Sequence, residues 1–326
     1  MKQLISVILC THNPRHDYLR RVLDALKRQT LPLDKWEFLL IDNSSRERVA
    51  DAWDISWHPS ARHIREDIVG LTPARLRGIN ESGAPLLVFI DDDNVLAPDF
   101  LERAAAVSNC FSFLGAFGAG TLEPEFEIPP PQELTSSLGM LALRTVPSTF
   151  WSNNIEDFQC IPWGAGLCVT RDVADKFQEF IALFNATAVI GRQGKHLFSG
   201  EDDVFSWAAV SLGKGFGVFP DLQITHLISA GRLNRDYFLR LMRDHAFSHG
   251  VLRYLRTKVD PRQVGLARYI RILLHGLKRG LFSMRCSWAV AQGDSAAARF
   301  IVAKNLSSIN LSNAGIESRQ PTTPLS

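Results

Sequence analysis

The chain has few cysteines and lacks the short motifs of the best-known nucleotide enzymes and hydrolases. Its five cysteines, in 326 residues, are odd in number and show no CxxC spacing. They indicate buried thiols in a reducing compartment, with neither a disulfide framework nor a zinc site. No GxxxxGK[ST] loop is present and no GxGxxG follows the first predicted strand, which disfavours a Walker ATPase and a standard dinucleotide dehydrogenase. The missing GxSxG turn removes the most recognisable class of hydrolases.

Long apolar runs are also missing. No run approaches the roughly 20 residues that a membrane-spanning helix requires, so we expect no integral membrane protein. The opening segment MKQLISVILCTHNP has a short apolar stretch that ends in a polar turn, and this is typical of a first β-strand rather than a signal peptide. We therefore expect a cytoplasmic protein and leave open whether it also attaches peripherally to the inner face of the cell membrane.

Charge is nearly balanced over the whole chain but is unevenly distributed. The formal net charge is +2, whereas residues 228–290 carry 13 Lys and Arg against 3 Asp and Glu, a net of +10. Such a basic C-terminal segment is typical of a surface that faces phosphate, nucleic acid or anionic lipid.

Strand and helix patterns alternate over the first hundred residues. Buried-strand patterns occur at 5–10, 36–43, 61–67 and 86–91, and helical patterns occur at 16–30, 71–82 and 98–107. This alternation predicts an α/β fold with a mostly parallel open sheet and helices on both faces. Later strands are predicted within 114–120, 167–170 and 221–225, and helices at 173–184 and from 201 to about 213.

The rest of the pattern divides the chain. Three consecutive prolines at 129–131 and a lack of periodicity predict that 121–160 is a loop or an insertion over the site. We expect one catalytic domain over 1–228, a basic and mostly helical extension over 229–310, and a disordered tail over 311–326.

The polar ends of the predicted strands are the places to look for chemistry. Ligands bind outside the carboxyl ends of the strands in an open parallel sheet. The four polar ends are Thr11-His12-Asn13, Asp42-Asn43, Glu66-Asp67 and Asp91-Asp92-Asp93. We expect all four to lie along one edge of the sheet.

The triplet Asp91-Asp92-Asp93 directly follows the apolar strand LLVFI. Adjacent carboxylates repel one another, and the repulsion grows as water is excluded. One interpretation is a solvated turn, and the other is a site for a hard divalent cation that prefers carboxylate oxygens. The sequence alone leaves both open.

A second acidic cluster, Glu201-Asp202-Asp203, stands at the start of a predicted helix. Acidic residues in a first turn are stabilised by the helix dipole, which is one sufficient explanation. A carboxylate in a partly dry cleft can also serve as a general base, and three carboxylates exceed what capping requires.

Three single residues have two interpretations each. Asp42 ends an apolar strand and either binds a nucleotide or caps the segment that follows. Arg75 either points at phosphates or lies on the surface of its helix. His226 follows a short strand and is either a metal ligand or a structural histidine.

The ordered set of motifs resembles glycosyltransferase family 2, inverting enzymes with the GT-A fold. The segments SVILCTHNP, FLLIDNSS, GLTPARLRGI and LVFIDDDNVLAPDFLE resemble the first strand, the second strand, the arginine-bearing helix and the DxD strand of that family. PWGAGLCVTRDV resembles its Gly-rich acceptor-side segment, and GEDDVFSWAAVSLGKGFGVFPDLQITH its Glu-Asp motif and final strand. Arg77 stands where the family usually has Asn. The resemblance covers roughly residues 3–245.

The resemblance implies a nucleotide-diphosphate-sugar donor, a saccharide or lipid-linked acceptor, and Mg²⁺ or Mn²⁺ as cofactor. It implies that Asp202 is the catalytic base, with Glu201 beside it. The implied metal ligands are Asp93, Asp91 and His226. The implied nucleotide-sugar-binding residues are Thr11, His12, Asn13, Asp42, Arg75, Asp91, Asp92, Trp163 and Gly164. The expected reaction transfers a sugar with inversion, in surface polysaccharide or glycoconjugate synthesis, and nucleic acid is not an expected partner.

Other possibilities remain open at the level of sequence. A catalytically inactive nucleotide-sugar or glycan-binding module would share the fold. A nucleotidyltransferase would use the acidic strand end for metals, although its Gly-rich, lysine-bearing N-terminal loop is missing. In the basic extension, residues 260–285 form either an interfacial helix on anionic lipid or a helix packed on the catalytic domain.

Overall fold

The computed structural model describes residues 3–185, 199–259 and 266–306. The predicted disordered tail, 311–326, lies outside these ranges. The strands are β1 Ile5–Thr11, β2 Trp36–Asn43, β3 Ala61–Glu66, β4 Leu86–Asp91, β5 Asn94–Leu96, β6 Leu114–Phe126, β7 Arg144–Thr145, β8 Phe150–Ser152, β9 Leu167–Thr170 and β10 Gly215–Ile228.

The helices surround this sheet and continue beyond it. They are α1 His16–Lys27, α2 Val49–Ala52, α3 Leu71–Glu81, α4 Phe100–Cys110, α5 Arg171–Asn185, α6 Glu201–Ser211, α7 Arg235–Thr257, α8 Leu266–Arg279 and α9 Leu281–Ala303. Short 3-10 segments occur at Leu33–Lys35, Gln132–Leu141, Phe158–Cys160 and Ala230–Arg232. The predicted α/β fold is confirmed.

The strands form one mixed sheet in the order β3-β2-β1-β4-β9-β6-β10-β5, with β7 paired to β6 and β8 to β10. The first four strands are parallel, as the alternation of strands and helices predicts. Strand β9 runs antiparallel to both β4 and β6, so the sheet is less uniformly parallel past β4. The four-residue run LCVT is apolar on both faces and carries no signal of strand direction.

Two apolar layers cover the two faces of the sheet. Successive residues of β1 alternate between them: Val7 and Leu9 pack in one layer, and Ile8 and Cys10 in the other. Because both layers exclude water, polar groups collect where the strands end. The site is therefore built on the carboxyl edge of the sheet.

Two predictions about local structure are wrong in part. The segment 121–160 is not a loop throughout, because β6 continues to Phe126 and pairs with β10 along the way. Not all thiols are buried either: Cys110 is exposed and Cys286 is partly exposed. Cys110 ends α4, where the helix faces solvent, so an apolar thiol there has no layer to pack into.

The C-terminal helices pack on the central sheet and its helices. Phe247 and Leu252 of α7 and Ile301 of α9 belong to the same apolar cluster as Phe205 of α6. The division of the chain near residue 228 stays a prediction. Within the described ranges, no helix combines the length and the apolar character needed to cross a bilayer.

Candidate active site

A cavity of about 840 Å³ opens at the carboxyl edge of the sheet. This volume is in the range of small-molecule sites. Eleven of the residues proposed from sequence line it, namely Thr11, His12, Arg75, Asp91, Asp92, Asp93, Trp163, Gly164, Glu201, Asp202 and His226. Asn13 and Asp42 are not among the lining residues.

Arg75 and Glu201 form a buried ion pair at the base of the cavity. A guanidinium nitrogen of Arg75 lies 2.6 Å from Glu201 Oε2, and both side chains are almost fully buried. Thr72 donates a hydrogen bond to the other carboxylate oxygen. Burial raises the pKa of Glu201, and the Arg75 charge opposes that shift. Glu201 is thereby committed to holding α3 and α6 together.

Asp202 faces the cavity from the first turn of α6. Its side chain is 29% exposed, and Oδ1 lies 3.7 Å from Arg75. A Cβ on Gly164 would overlap a guanidinium nitrogen of Arg75 and would lie 3.1 Å from Asp202 Oδ1. The glycine at 164 therefore leaves room for the cluster. Within the Glu201–Asp203 cluster, Asp202 is the carboxylate that opens to the cavity and lies within 4 Å of a cation without a close ion pair.

The start of α6 rests directly on α7. Gly200 precedes the helix with a φ of +114°, a conformation that favours glycine. A Cβ at this position would overlap Leu252 of α7. Asp203 follows Asp202 and also lines the cavity. Burial and the charge of Asp202 raise the pKa of Asp203 to about 7.

The three adjacent aspartates have different partners. Asp91 Oδ1 lies 3.9 Å from the guanidinium of Arg75. Asp92 accepts a hydrogen bond from the Thr11 hydroxyl. Burial and the charge of Asp93 raise the pKa of Asp92 to about 7. The repulsion that the sequence suggested is therefore relieved partly by divergence of the side chains and partly by partial neutralisation of Asp92.

Asp93 is held by the pairing of β5 with β10. His226 pairs with Asn94 in the antiparallel register, which brings the imidazole to the triplet. Asp93 Oδ1 accepts a hydrogen bond of 2.9 Å from Asn94 Nδ2, and Oδ2 lies 3.3 Å from His226 Nε2. Arg232 Nη1 lies 2.9 Å from the same Oδ2 and 3.1 Å from His226 Nε2. A protein cation therefore stands between two of the predicted metal ligands.

Among the residues that the structure describes, no group of three or more His, Cys, Asp or Glu side chains is arranged to hold a metal ion. Asp91 and Asp93 diverge, towards Arg75 and Arg232 respectively. The donor types that Mg²⁺ and Mn²⁺ prefer are present. Their arrangement in this structure does not form a metal centre.

The end of β2 does not place Asp42 in the cavity wall. Its carboxylate accepts backbone N–H groups of Ser45 at 2.9 Å and Val49 at 3.3 Å, and it pairs with Arg65 at 2.8 Å. Burial opposes ionisation, but these hydrogen bonds and the Arg65 charge lower the pKa of Asp42. This arrangement has the form of the capping alternative. Asn43, the next residue, lines the cavity instead.

His12 and Asn13 shape the rim beside Asn43. His12 Nδ1 lies 2.6 Å from the carbonyl oxygen of Asn43. Asn13 adopts a φ of +50°, and its side chain accepts a hydrogen bond from the Arg46 N–H at 2.9 Å. The nucleotide-binding roles of these residues stay predictions.

Sequence reasoning missed several lining residues that come from distant elements. His245 and His249 of α7, Phe158, and Arg232 all contribute to the cavity. The two histidines are four residues apart on one helix, a spacing that places them on one face. This four-residue spacing is the sequence signal that could have identified the two histidines as neighbours on one helix face. The ring of Trp163, another lining residue, has the guanidinium carbon of Arg144 3.6 Å from its centroid.

The curled mixed sheet with its surrounding helices has the GT-A type fold. Residues 6–108 match the model of the family described as Glycosyl transferase family 2. The resemblance expected from the sequence is thus confirmed. The matched segment contains the first three strand ends and the Asp91–Asp93 triplet, and it stops before the Glu201–Asp203 cluster.

Individual relatives were found by sequence and by structure. The chain is 29% identical over 105 residues to glycosyltransferase AglE of Haloferax volcanii, and the match covers 31% of this chain and 34% of AglE. The match thus spans about a third of the length of that relative. The mannosyltransferase PcManGT of Pyrobaculum calidifontis, in complex with GDP-Man and Mn²⁺, is 15% identical with a TM-score of 0.50, covering 98% of this chain and 77% of that one.

A third comparison is the S. aureus protein TarS 1-349 in complex with UDP-GlcNAc. It is 13% identical, with a TM-score of 0.48, and covers 98% of this chain and 93% of that chain. The likeness to PcManGT shows that the fold is shared along nearly the whole chain. At sequence identities this low, a structural likeness shows a shared fold and does not identify the substrate.

Proposed function

We propose that the protein is an inverting glycosyltransferase that moves a sugar from a nucleotide diphosphate sugar to an acceptor hydroxyl. The observation that carries this proposal is the position of Asp202. It presents a carboxylate to the cavity, with Arg75 at 3.7 Å, while its neighbour Glu201 is committed to the buried ion pair. The family match at 6–108 and the named relatives support a nucleotide-sugar donor.

In the proposed reaction the acceptor oxygen attacks the anomeric carbon from the face opposite the diphosphate. One bond forms between that oxygen and carbon, and the bond from carbon to the phosphate oxygen breaks. The diphosphate leaves with the electron pair, and the acceptor proton goes to an Asp202 oxygen. Arg75 keeps positive charge 3.7 Å from the Asp202 carboxylate.

One part of the cavity wall carries aromatic, aliphatic and imidazole side chains. Phe158, Leu241, His245 and His249 line the part of the wall contributed by α7 and the 3-10 segment Phe158–Cys160. We propose that a saccharide or lipid-linked acceptor binds there, because aromatic and imidazole rings provide flat surfaces and polar edges together. A role in surface polysaccharide or glycoconjugate synthesis is part of this proposal.

Divalent metal use stays a prediction. The PcManGT complex contains Mn²⁺ with its sugar nucleotide, and Mg²⁺ or Mn²⁺ would supply positive charge to the departing diphosphate. In this chain, however, the predicted ligands Asp93 and His226 are both engaged by Arg232. The residues as arranged do not fit a metal centre, and no step of the proposed reaction depends on one.

The substitution Asp202→Asn tests the base assignment. We expect thermal-shift binding of UDP- or GDP-sugars to be retained and turnover to fall about 100- to 10,000-fold, because the amide cannot accept the proton. Asp172→Asn is the matched control, since Asp172 is also a first-turn carboxylate but lies outside the cavity and pairs with Lys214.

Four outcomes would contradict the proposal. Unchanged turnover, or an equal loss of binding and turnover, would remove Asp202 as the base. Release of pyrophosphate would favour a nucleotidyltransferase, and sugar-nucleotide binding by the wild type without any turnover across donors and acceptors would favour a binding module.

Membrane association is a separate part of the proposal. Ile270, Leu273 and Leu274 of α8 are 48%, 52% and 55% exposed, in a segment of basic character. Residues 260–265 of the predicted 260–285 segment lie outside the described ranges. Exposed apolar side chains among Arg and Lys suit a peripheral position on anionic lipid. Co-sedimentation with anionic vesicles that is equal for wild type and for Leu273→Ser/Leu274→Ser would contradict this.

A further inference from the structure

The guanidinium of Arg232 lies at the acidic end of the cavity. Arg232 belongs to the 3-10 segment Ala230–Arg232 that directly follows β10. Its Nη1 is 2.9 Å from Asp93 Oδ2 and 3.1 Å from His226 Nε2. One nitrogen therefore bridges the carboxylate and the imidazole.

The fold fixes this geometry from both sides. The Leu227 N–H donates to the Asp93 carbonyl oxygen at 2.9 Å, so the backbone after β10 is tied to the triplet. Asn94 holds the other Asp93 oxygen at 2.9 Å. The Tyr237 ring lies 5.8 Å from the Arg232 guanidinium carbon, on the side of α7. Arg232 is therefore held by an organised environment.

The remaining surface of this guanidinium is available to a ligand. The side chain is 16% exposed and lines the cavity. Its Nε is buried without a hydrogen-bond partner in the protein, and so is Nδ1 of His226. A guanidinium presents five N–H donors in a planar fork that matches phosphate oxygens. The structure thus joins a fixed cation, a partly exposed guanidinium and a cavity large enough for a nucleotide.

We propose that Arg232 is the resident cation of the diphosphate site, binding the diphosphate of a nucleoside diphosphate and excluding divalent metal from Asp93 and His226. The identity of the ligand rests on the proposed function. The exclusion of metal rests on the contacts of Arg232 alone. In this assignment Asp93 and His226 orient the guanidinium of Arg232, and the guanidinium binds the phosphates.

The first experiment measures nucleotide binding by calorimetry, using UDP and GDP as probes. We expect wild type to bind one of them with the same affinity in EDTA and in Mn²⁺. Arg232→Gln is expected to weaken that binding about 10- to 100-fold in EDTA, the effect of losing charge-assisted hydrogen bonds. Arg232→Lys keeps the charge and should recover part of the loss. Arg235→Gln is the matched control, because Arg235 is 55% exposed and pairs with Glu133.

The second experiment titrates Mn²⁺ alone and follows it by electron paramagnetic resonance. Arg232→Gln should gain a Mn²⁺ site that wild type lacks, and Arg232→Gln/Asp93→Asn should lose it again. Thermal unfolding of each variant confirms that it is folded. Because this measurement needs no nucleotide, it tests the exclusion of metal even if the ligand of the cavity belongs to another chemical class.

The outcomes separate the two proposals. Wild-type nucleotide binding that disappears in EDTA, or Arg232→Gln that binds like wild type, overturns the role of Arg232. Equal Mn²⁺ binding by wild type and Arg232→Gln overturns the exclusion of metal. If neither UDP nor GDP binds wild type in either buffer while the Mn²⁺ site still appears in Arg232→Gln, the exclusion stands and the nucleotide ligand of the proposed function is contradicted.

Discussion

The buried pair between Arg75 and Glu201 offers the sharpest test of how the site is held together. We consider Arg75→Met, Glu201→Gln and the double variant. The two charged groups are 2.6 Å apart, with side chains 3% and 4% exposed. Removing Arg75 leaves the Glu201 carboxylate buried, with the hydrogen bond from Thr72 still in place. Removing the charge of Glu201 leaves a buried guanidinium with only more distant carboxylates.

The expected cost of either single change is about 3–5 kcal/mol of unfolding free energy, the usual penalty for stranding one partner of a buried pair. The double variant should lose less than the sum of the singles by about 2–3 kcal/mol, because the stranded charge is then absent. The cost of Arg75→Met should also grow between pH 5 and 8. Burial already raises the pKa of Glu201, and without Arg75 the folded state holds its proton to still higher pH.

Urea denaturation followed by tryptophan fluorescence measures these differences. Arg77→Met is the control on the same helix. Arg77 pairs with Glu81 at 2.9 Å, but the side chains are 46% and 29% exposed, so a loss below about 1 kcal/mol is expected. Losses from Arg75→Met as small as this control, or strictly additive single and double variants, would refute the reasoning.

Two further predictions concern neighbours of this pair. Gly164→Ala should reduce turnover at least about tenfold, because the added Cβ displaces Arg75 from Asp202. Gly139→Ala is the control and should leave turnover unchanged, because Gly139 also lines the cavity and a Cβ there meets nothing within 4 Å. Equal turnover of the two variants in steady-state kinetics would contradict this prediction. Asp203→Asn should raise stability at pH 8 by up to about 4 kcal/mol and leave it unchanged near pH 4, as chemical denaturation at both pH values would measure. The pKa of Asp203 is raised to about 7, so the folded state binds the proton more tightly between pH 4 and 7 and loses stability as pH rises; a gain that does not depend on pH would contradict it.

Much of the sheet could be predicted because its strands are continuous apolar runs. The segments 36–43 and 86–91 begin and end where the sequence pattern indicates. The polar ends of these strands could be located for the same reason, since each apolar run stops at a charged or amide side chain. The general position of the cavity therefore follows from local pattern and topology together.

The assignment of partners within the site could not be predicted from local pattern. His226 meets Asp93 only because β10 pairs with β5 in one particular register, and Arg232 joins them across a turn. Asp42 satisfied two interpretations equally in the sequence, and its contacts with Ser45 and Val49 depend on how the following turn closes. Such choices are made by tertiary contacts that residue spacing does not encode.

The close contact between Gly200 and Leu252 has a consequence for the order in which parts of the protein can fold during synthesis. One edge of the cavity uses strand ends that lie within the first hundred residues, so this part of the sheet can assemble early. The turn before α6 gains its contact with Leu252 only when α7 follows, whereas Glu201 in the first turn of α6 pairs with Arg75 of the earlier helix α3. The part of the cavity that α6 and α7 form together is therefore completed after the edge that the first strands form.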